Sequence, residues 1–136
     1  MRQFLIVFYA VLLGLGLAAS ANAQVATNPT TVEFTPSVDH NRLGLDGVTP
    51  IVTRYDLRIF LEGATAPFQT HDLGKPTPVN SLISVTNPSW FISLAMNVRH
   101  VARVAAVGPT GEGVSAPSNP FGVVGAPIAG GVPVVK

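Results

Sequence analysis

Two short polar segments carry residue types that bind metal ions, Asp39-His40-Asn41 and His71-Asp72. A zinc site needs three or four converging ligands, and these two histidines are predicted to lie in separate turns or edges. The loop that begins at Asp39 has glycine at its sixth position, as a calcium loop does. However, Leu43 stands at its fifth position and Pro50 at its twelfth, where a calcium loop has a bidentate glutamate. We therefore expect neither a metal nor another cofactor.

Ser115 lies in Gly113-Val114-Ser115-Ala116-Pro117, which lacks the second glycine and the following helix of a hydrolase nucleophile motif. The carboxylates are scattered along the chain, so no pair suggests a glycosidase. No glycine-rich phosphate loop precedes a helix. The sequence therefore predicts no catalytic residues and no enzyme, and a small hydrolase is the enzymatic alternative that a broad substrate panel would test.

Residues 1–23 have the pattern of a secretory signal peptide. Arg2 provides a positive start, residues 4–19 are apolar and uncharged, and Ala21-Asn22-Ala23 is a small-x-small cleavage site. Cleavage is expected after Ala23. An uncleaved anchor is the alternative, but the apolar stretch is shorter than the roughly 20 residues that a spanning helix needs. We expect a secreted or periplasmic product that contacts a membrane only through this segment.

The mature chain, from Gln24 onward, contains seven Lys or Arg and seven Asp or Glu, with no cluster of either sign. Nucleic acid and anionic membrane surfaces attract concentrated basic patches, so neither is expected as a partner. The chain has no cysteine, which excludes both a disulfide and an acylated anchor. This feature and the cleavage site suit a bacterial product.

Valine, threonine, proline and glycine dominate the mature chain, as is typical of strands and turns. Short alternating segments separated by turn residues, with no helix between them, predict an all-β antiparallel sandwich. The predicted strands are residues 31–35, 51–61, 68–73, 81–85, 89–94, 99–107 and a last strand from about 114 past 118. The facing of 89–94 is ambiguous, because either Trp90 and Ile92 or Phe91 and Ser93 could point inward.

Several of these segments resemble the fibronectin type III family, over roughly residues 30–120. Residues 32–36 look like its B strand, residues 52–58 like its C strand with the characteristic tyrosine, and residues 103–118 like its F strand, FG loop and G strand. Leu94, six residues before His100, is similar to the spacing that bridges strands E and F. Phe34 and His100 stand where the family usually has Trp and Tyr, and Met96 where Pro is common.

The resemblance implies an immunoglobulin-like antiparallel β-sandwich over residues 30–121, preceded by a signal-peptide helix (1–23) and a flexible leader (24–29). In related sandwiches a corner tyrosine bonds nearby backbone, and His100 is expected to do similar work through a ring nitrogen. A solvent-facing His100 is the alternative. The predicted structural core consists of Phe34, Tyr55, Leu57, Leu94, His100 and Val104.

Outward aromatic residues and the FG loop form the predicted binding surface, since sandwich domains usually bind through such positions. Its residues are Phe60, Trp90, Pro109, Thr110, Gly111 and Glu112. The alternative is that each aromatic ring packs against an insertion. The sequence leaves the ligand open between a protein and a glycan.

Residues 122–136 form an apolar tail that proline and glycine interrupt, so it is expected to be mobile. Its uncharged Val and Ile residues could instead pair with a neighbouring sheet edge and link copies together. The sequence therefore predicts a noncatalytic module for binding, adhesion or spacing. The alternatives are a self-assembling subunit and a carbohydrate-binding accessory domain.

Overall fold

The computed structural model describes residues 24–125 and 130–136, and the predicted signal peptide at 1–23 lies outside the described residues. The described chain is mostly β, with a single helical turn. Its elements are β1 Ala26–Thr27, β2 Thr31–Phe34, β3 Arg54–Leu61, β4 Gln69–Gly74, β5 Ile83–Thr86, α1 Ser89–Ile92, β6 His100–Gly108, β7 Gly111–Val114 and β8 Phe121–Gly122. Among the described residues, no helix has the length and apolar character needed to cross a membrane.

The larger sheet has the order β1-β8-β6-β3-β4, and β7 also pairs with β6. The two longest strands, β3 and β6, are antiparallel along their whole length and form its centre. Strand β4 is an edge strand, and it is followed by Lys75 and Pro76, residue types that discourage unwanted pairing at a sheet edge. The antiparallel prediction fails at one place, because β1 runs parallel to β8.

The smaller sheet consists of β2 and β5, paired antiparallel. The hydroxyl groups of Thr31 and Thr86 lie 2.9 Å apart across this pair. Residues of β2 and β5 contact residues of the larger sheet in two apolar clusters. The buried members of these clusters are Val52, Tyr55, Leu57, Ile59, Ile83, Phe91, Leu94, Ala102 and Phe121.

Residues 89–94 were predicted to form a strand, and this prediction is wrong because the segment begins with the helical turn α1. The side-chain oxygen of Asn87 accepts hydrogen bonds from the backbone N–H and the hydroxyl of Ser89, at 3.1 and 2.6 Å. Such a turn competes with extended backbone. The turn carries Phe91 into the core, where its ring is 4% exposed.

The predicted last strand is interrupted, because β7 ends at Val114 and β8 begins only at Phe121. Between them, Ser115 and Ser118 mimic strand pairing with their own side chains. Ser115 donates its backbone N–H to the carbonyl of Val104 in β6, and its hydroxyl accepts the backbone N–H of Val104. Ser118 makes the same two bonds with Ala102 of β6. The neighbouring prolines, which have no N–H, explain the interruption.

The leader at 24–29 was expected to be flexible, but it contributes β1 to the larger sheet. Ala26 donates its N–H to the carbonyl of Pro120, and Asn28 donates to that of Gly122, both at 2.9 Å. The side chain of Asn28 in turn accepts the N–H of Val124 at 2.9 Å. The polar composition of the leader concealed this pairing, because the bonds are almost all made by backbone.

Candidate binding surface

A small hairpin over residues 42–51 projects from the end of the two sheets at which β3 begins. Leu43 and Pro50 form an antiparallel bridge. Gly44 donates to the carbonyl of Thr49 at 2.7 Å, and Ile51 donates to that of Arg42 at 3.0 Å. These cross-bonds give the loop a defined conformation without help from the main sheets.

Asp46 closes the tip of this hairpin. Its carboxylate accepts the N–H groups of Val48 and Thr49, at 3.0 and 2.9 Å, and the hydroxyl of Thr49. The hydrogen bond from the Thr49 hydroxyl, followed by the two backbone bonds, lowers the pKa of Asp46 to about 2. The carboxylate is therefore ionised at any ordinary pH, which preserves the turn. Gly47 follows with φ +69°, a conformation that favours glycine.

A buried polar cluster anchors the base of the hairpin. The Tyr55 hydroxyl accepts the backbone N–H of Ser37 at 3.1 Å and lies 2.8 Å from Nδ1 of His40. The rings of His40 and Tyr55 stack with centroids 5.7 Å apart. Both residues are buried. Burial lowers the pKa of His40 below its usual 6.5, and the positive charge of Lys75 adds to this effect.

We expect the protein to lose stability on mild acidification. Because the folded state holds His40 with a lowered pKa, the unfolded chain binds more protons as the pH falls through 6.5. Burial lowers the pKa of His71 in the same direction. Urea melts should therefore give a lower free energy of unfolding at about pH 5.5 than at about pH 7.5. The loss should shrink in His40→Asn, and an unchanged free energy across this range would contradict the prediction.

The turn between β6 and β7 packs directly against this hairpin. A Cβ atom on Gly108 would lie 1.8 Å from the carbonyl oxygen of Ile51, so only glycine permits this approach of the two backbones. The two-residue turn Pro109-Thr110 therefore lies beside the hairpin. Together they enclose the loop-end groove, a cavity of about 610 Å³. The groove is lined by residues 42–46, 49–51, Pro109 and Thr110.

Large apolar side chains around this groove face solvent. Leu45 is fully exposed at the tip of the hairpin, and Leu43 is 51% exposed. Val48, which adjoins the groove in sequence, is 77% exposed. Isolated exposed apolar residues are ordinary, but several on one structured loop next to a cavity are typical of a binding surface.

The structure brings together only part of the predicted binding surface. Pro109 and Thr110 line the loop-end groove. Gly111 and Glu112 follow at the start of β7, and both are exposed. The carboxylate of Glu112 is bound by the guanidinium group of Arg58 through contacts of 2.9 and 2.5 Å, and this contact lowers the pKa of Glu112.

The prediction that Phe60 is exposed is wrong, since its side chain is only 7% exposed. Phe60 does point to the polar side of β3, as expected. The pairing of β3 with β4 ends one residue earlier, at Ile59 and Gln69, whereas the pairing with β6 continues past Phe60. Phe60 is opposite Val101, and an ion pair between Glu62 and Arg99 follows on the same face at 2.6 Å.

Trp90 is half-buried and packs against the core. One face of its indole stacks on His71 of β4, with ring centroids 5.5 Å apart, and its edge approaches Phe91 at 6.5 Å. Gln69 connects the imidazole of His71 to the hydroxyl of Ser93 through bonds of 2.9 and 2.7 Å. The arrangement favours the alternative in which the Trp90 ring packs against the chain's own inserted segment, here at His71 of β4.

The residues predicted for the structural core divide into two groups. Four of them are buried, namely Tyr55, Leu57, Leu94 and His100. The ring of His100 donates Nδ1–H to the carbonyl of Val98 at 3.0 Å, a backbone contact of the kind expected from the family resemblance. Phe34 and Val104 point inward but are only half-buried. Both line a surface cavity described below.

The residues considered for chemistry are occupied with local contacts. Asp39 pairs with Arg42 at 3.0 Å. The hydroxyl of Ser115 accepts the N–H of Val104 and donates to the carbonyl of Ala116. Within residues 24–125 and 130–136, no three His, Asp or Glu side chains converge as a metal site would require.

Sequence reasoning treated residues 39–47 as a polar loop and missed Leu43, Leu45 and Val48. The available signal was the presence of Leu43 and Leu45 between two turn-forming segments, Asp39–Asn41 and Asp46–Gly47, with Val48 directly after the second. The apolar side chains of such a loop are either buried in the protein or exposed to solvent. The hydrogen bonds between the two arms of the hairpin determine which, and they depend on backbone geometry that composition does not specify.

No family model matches this chain, and no curated protein matches it significantly.

Proposed function

We propose that this chain is an exported, noncatalytic fibronectin type III-like module that binds a protein partner through the loop-end groove. A sandwich of this family is supported by the division of strands into β2–β5 and a larger sheet centred on β3 and β6. The inner faces of the two sheets pack against each other through Tyr55 and Leu57. Export is supported by residues 1–23, which have a positive charge near the start, an apolar stretch and then a small-x-small cleavage site.

The observation that carries the binding proposal is the fixed presentation of Leu45. Its neighbours Gly44 and Asp46 both make bonds to Thr49 that hold the hairpin tip. The backbone of such a tip loses little conformational freedom on binding, so this part of the ordering cost of association is low. Burial of an exposed leucine contributes about 1.5–3 kcal/mol, which is the scale of an interface hot spot.

The composition of the groove favours a protein over a glycan. None of its lining residues is aromatic, whereas sugar rings are usually held by stacking on exposed aromatic rings. Its lining includes the apolar residues Leu43, Leu45, Pro50, Ile51 and Pro109. This arrangement suits an apolar side chain from a partner.

The proposal is tested by selection from a random-peptide phage library on the purified mature chain. We expect enrichment of peptides that carry a large apolar residue, and about tenfold or greater loss of their affinity in Leu45→Ser. The matched control is Val79→Ser, because Val79 is 71% exposed and does not line the groove. Enriched peptides that bind Leu45→Ser as tightly as the parent chain would overturn the proposal, as would a failure to enrich any peptide.

A further inference from the structure

Strand β2 lacks a second neighbour in the part of the chain that the structure describes. It pairs with β5 along one edge, while β1, which precedes it, pairs with β8 of the larger sheet. The other edge of β2 therefore faces the seam between the two sheets. We refer to the opening along this edge as the seam cleft.

The backbone of β2 presents hydrogen-bonding groups to this cleft. The carbonyl of Thr30 accepts the N–H of Asn87, in register with the β2–β5 ladder. Because successive residues of a strand point their backbone groups to opposite sides, Val32 and Phe34 share the direction of Thr30. The N–H and carbonyl groups of Thr31 and Glu33 then point toward the seam cleft.

Two adjacent cavities show that the cleft runs along the strand. The lower one, about 120 Å³, lies between residues 31–33 and the residues Ser118, Asn119 and Phe121, and Ala26 and Pro29 of the leader also line it. The upper one, about 270 Å³, lies between Phe34, Thr35 and Ser37 on one side and residues 113–115 on the other. Their floors include Ala102, Val104 and Ala106 of β6. Small side chains along β6 leave room above them for an added strand.

The cleft also leaves core-facing side chains incompletely covered. Val32 and Phe34 on β2, and Val104 and Ala106 on β6, belong to the apolar clusters but remain half-buried. Their buried neighbours in the same clusters, such as Tyr55 and Leu57, are at most 1% exposed. An extended segment in the cleft would cover these four residues and also pair with the free edge of β2.

We propose that the seam cleft binds residues 132–136 of a second copy of this chain as an added β-strand. In this structure Val132, Val134 and Val135 are 91%, 78% and 95% exposed, so the tail does not occupy the cleft of its own copy. Each copy thus combines an unpaired strand edge with an exposed β-branched segment. The proposal rests on different residues from the loop-end groove, because neither cavity of the seam cleft shares a lining residue with that groove.

The charges on the two surfaces are complementary. Glu33 is the only charged residue that lines either cavity of the cleft. Lys136 is the only charged residue in the sequence from 122 to 136. The remaining residues of the tail are apolar or glycine, and they therefore match the apolar side chains on the floor of the cleft. A cross-strand pair of opposite charges favours one register of an added strand.

An antiparallel register with Lys136 opposite Glu33 sets Val135 and Lys136 against β2 and continues residues 132–134 along residues 35–37, which follow it. Glu33 directs its backbone to the cleft and its side chain to solvent, so Lys136 does the same. Val135 then lies opposite Phe34 and points into the cleft, while Val134 points to solvent. In this register the backbone N–H at position 133 would point away from β2. Proline has no N–H, so Pro133 loses no hydrogen bond to β2 at this position.

The test is sedimentation velocity on the mature chain at concentrations up to about 1 mM. We expect concentration-dependent self-association that Val135→Asp weakens about tenfold or more, because its charge would enter the apolar cleft. The matched control Val134→Asp places the same charge one residue away on the solvent side, and should retain association within about threefold. Circular dichroism melts of both variants report whether the fold is retained.

Charge exchange tests the register itself. Lys136→Glu and Glu33→Lys should each weaken association, and the double variant should recover it. A chain that remains monomeric at every concentration would overturn the proposal. It would also fail if Val134→Asp and Val135→Asp behaved alike, or if the double variant did not recover. The parent chain could also remain monomeric while deletion of the tail lowers its stability. That result would show that the cleft binds the tail of its own chain and would refute binding of a second copy.

Discussion

Replacement of Gly108 by alanine is expected to lower the free energy of unfolding by about 2–4 kcal/mol. The added Cβ would lie 1.8 Å from the carbonyl oxygen of Ile51 and 3.0 Å from its carbonyl carbon. Both are backbone atoms, and the adjacent backbone is held by the hydrogen bond from Thr53 to Val107 at 2.8 Å. Relief therefore requires the hairpin to separate from the turn between β6 and β7, which also opens the loop-end groove.

The control for this variant is Gly113→Ala on the neighbouring strand. A Cβ atom on Gly113 would have no neighbour within 4 Å, so its effect should remain within about 0.5 kcal/mol. Urea denaturation of the two variants beside the parent chain measures both values. If Gly108→Ala unfolded at the same urea concentration as the parent, the close approach of the two backbones would be wrong.

His100→Ala is the second substitution with a large expected effect, a loss of about 2–4 kcal/mol. The side chain is 1% exposed, and its ring lies 6.2 Å from that of Phe68 and 6.0 Å from that of Phe121. Truncation would leave a cavity between these rings and remove the hydrogen bond to Val98. A ring in this position closes the end of the core at which β6 begins.

His100→Phe separates the two contributions. Phenylalanine retains a ring in the same space but cannot donate to the carbonyl of Val98, so we expect a smaller loss of about 1 kcal/mol. The predicted order of stability is therefore parent, then His100→Phe, then His100→Ala. If neither variant changed the urea midpoint, the alternative of a solvent-facing histidine would be supported instead.

The central strands were predictable because their pattern has one explanation. Tyr55, Leu57 and Ile59 alternate with charged residues, and only a half-buried strand places such a set on one side. The alternation that begins at His100 likewise predicted a strand. Even here one residue was misplaced, because Phe60 is buried although it lies on the polar side of the strand, and alternation alone does not report what covers that side.

The helical turn at Ser89–Ile92 could not be predicted from alternation. Residues 89–94 contain apolar residues at consecutive positions, and both facings of a strand were equally acceptable. The decisive contact is local and polar, because the Asn87 side chain bonds Ser89 twice. Asn-Pro-Ser was a turn signal, but the burial of Phe91 that accompanies the turn is a tertiary effect.

The loop-end groove was half predictable. The turn at Pro109 and Thr110 follows from the glycine and proline residues around it, and it was expected to be a binding position. Its partner, the hairpin at 42–51, was not expected, because a contact between loops distant in sequence depends on the backbone approach at Gly108. Seen in isolation, Gly108 was only one of several turn glycines.

The parallel pairing of β1 with β8 has a mechanical consequence. The segment before β1 and the segment after β8 leave this pair from its opposite ends. Tension applied between the leader and the tail therefore slides the two strands along each other. The bonds of Ala26 to Pro120 and of Asn28 to Gly122 are then strained together, and they do not open in succession like a zipper. A module in this arrangement transmits a pulling force through its backbone with far less extension than one that peels apart from a single end.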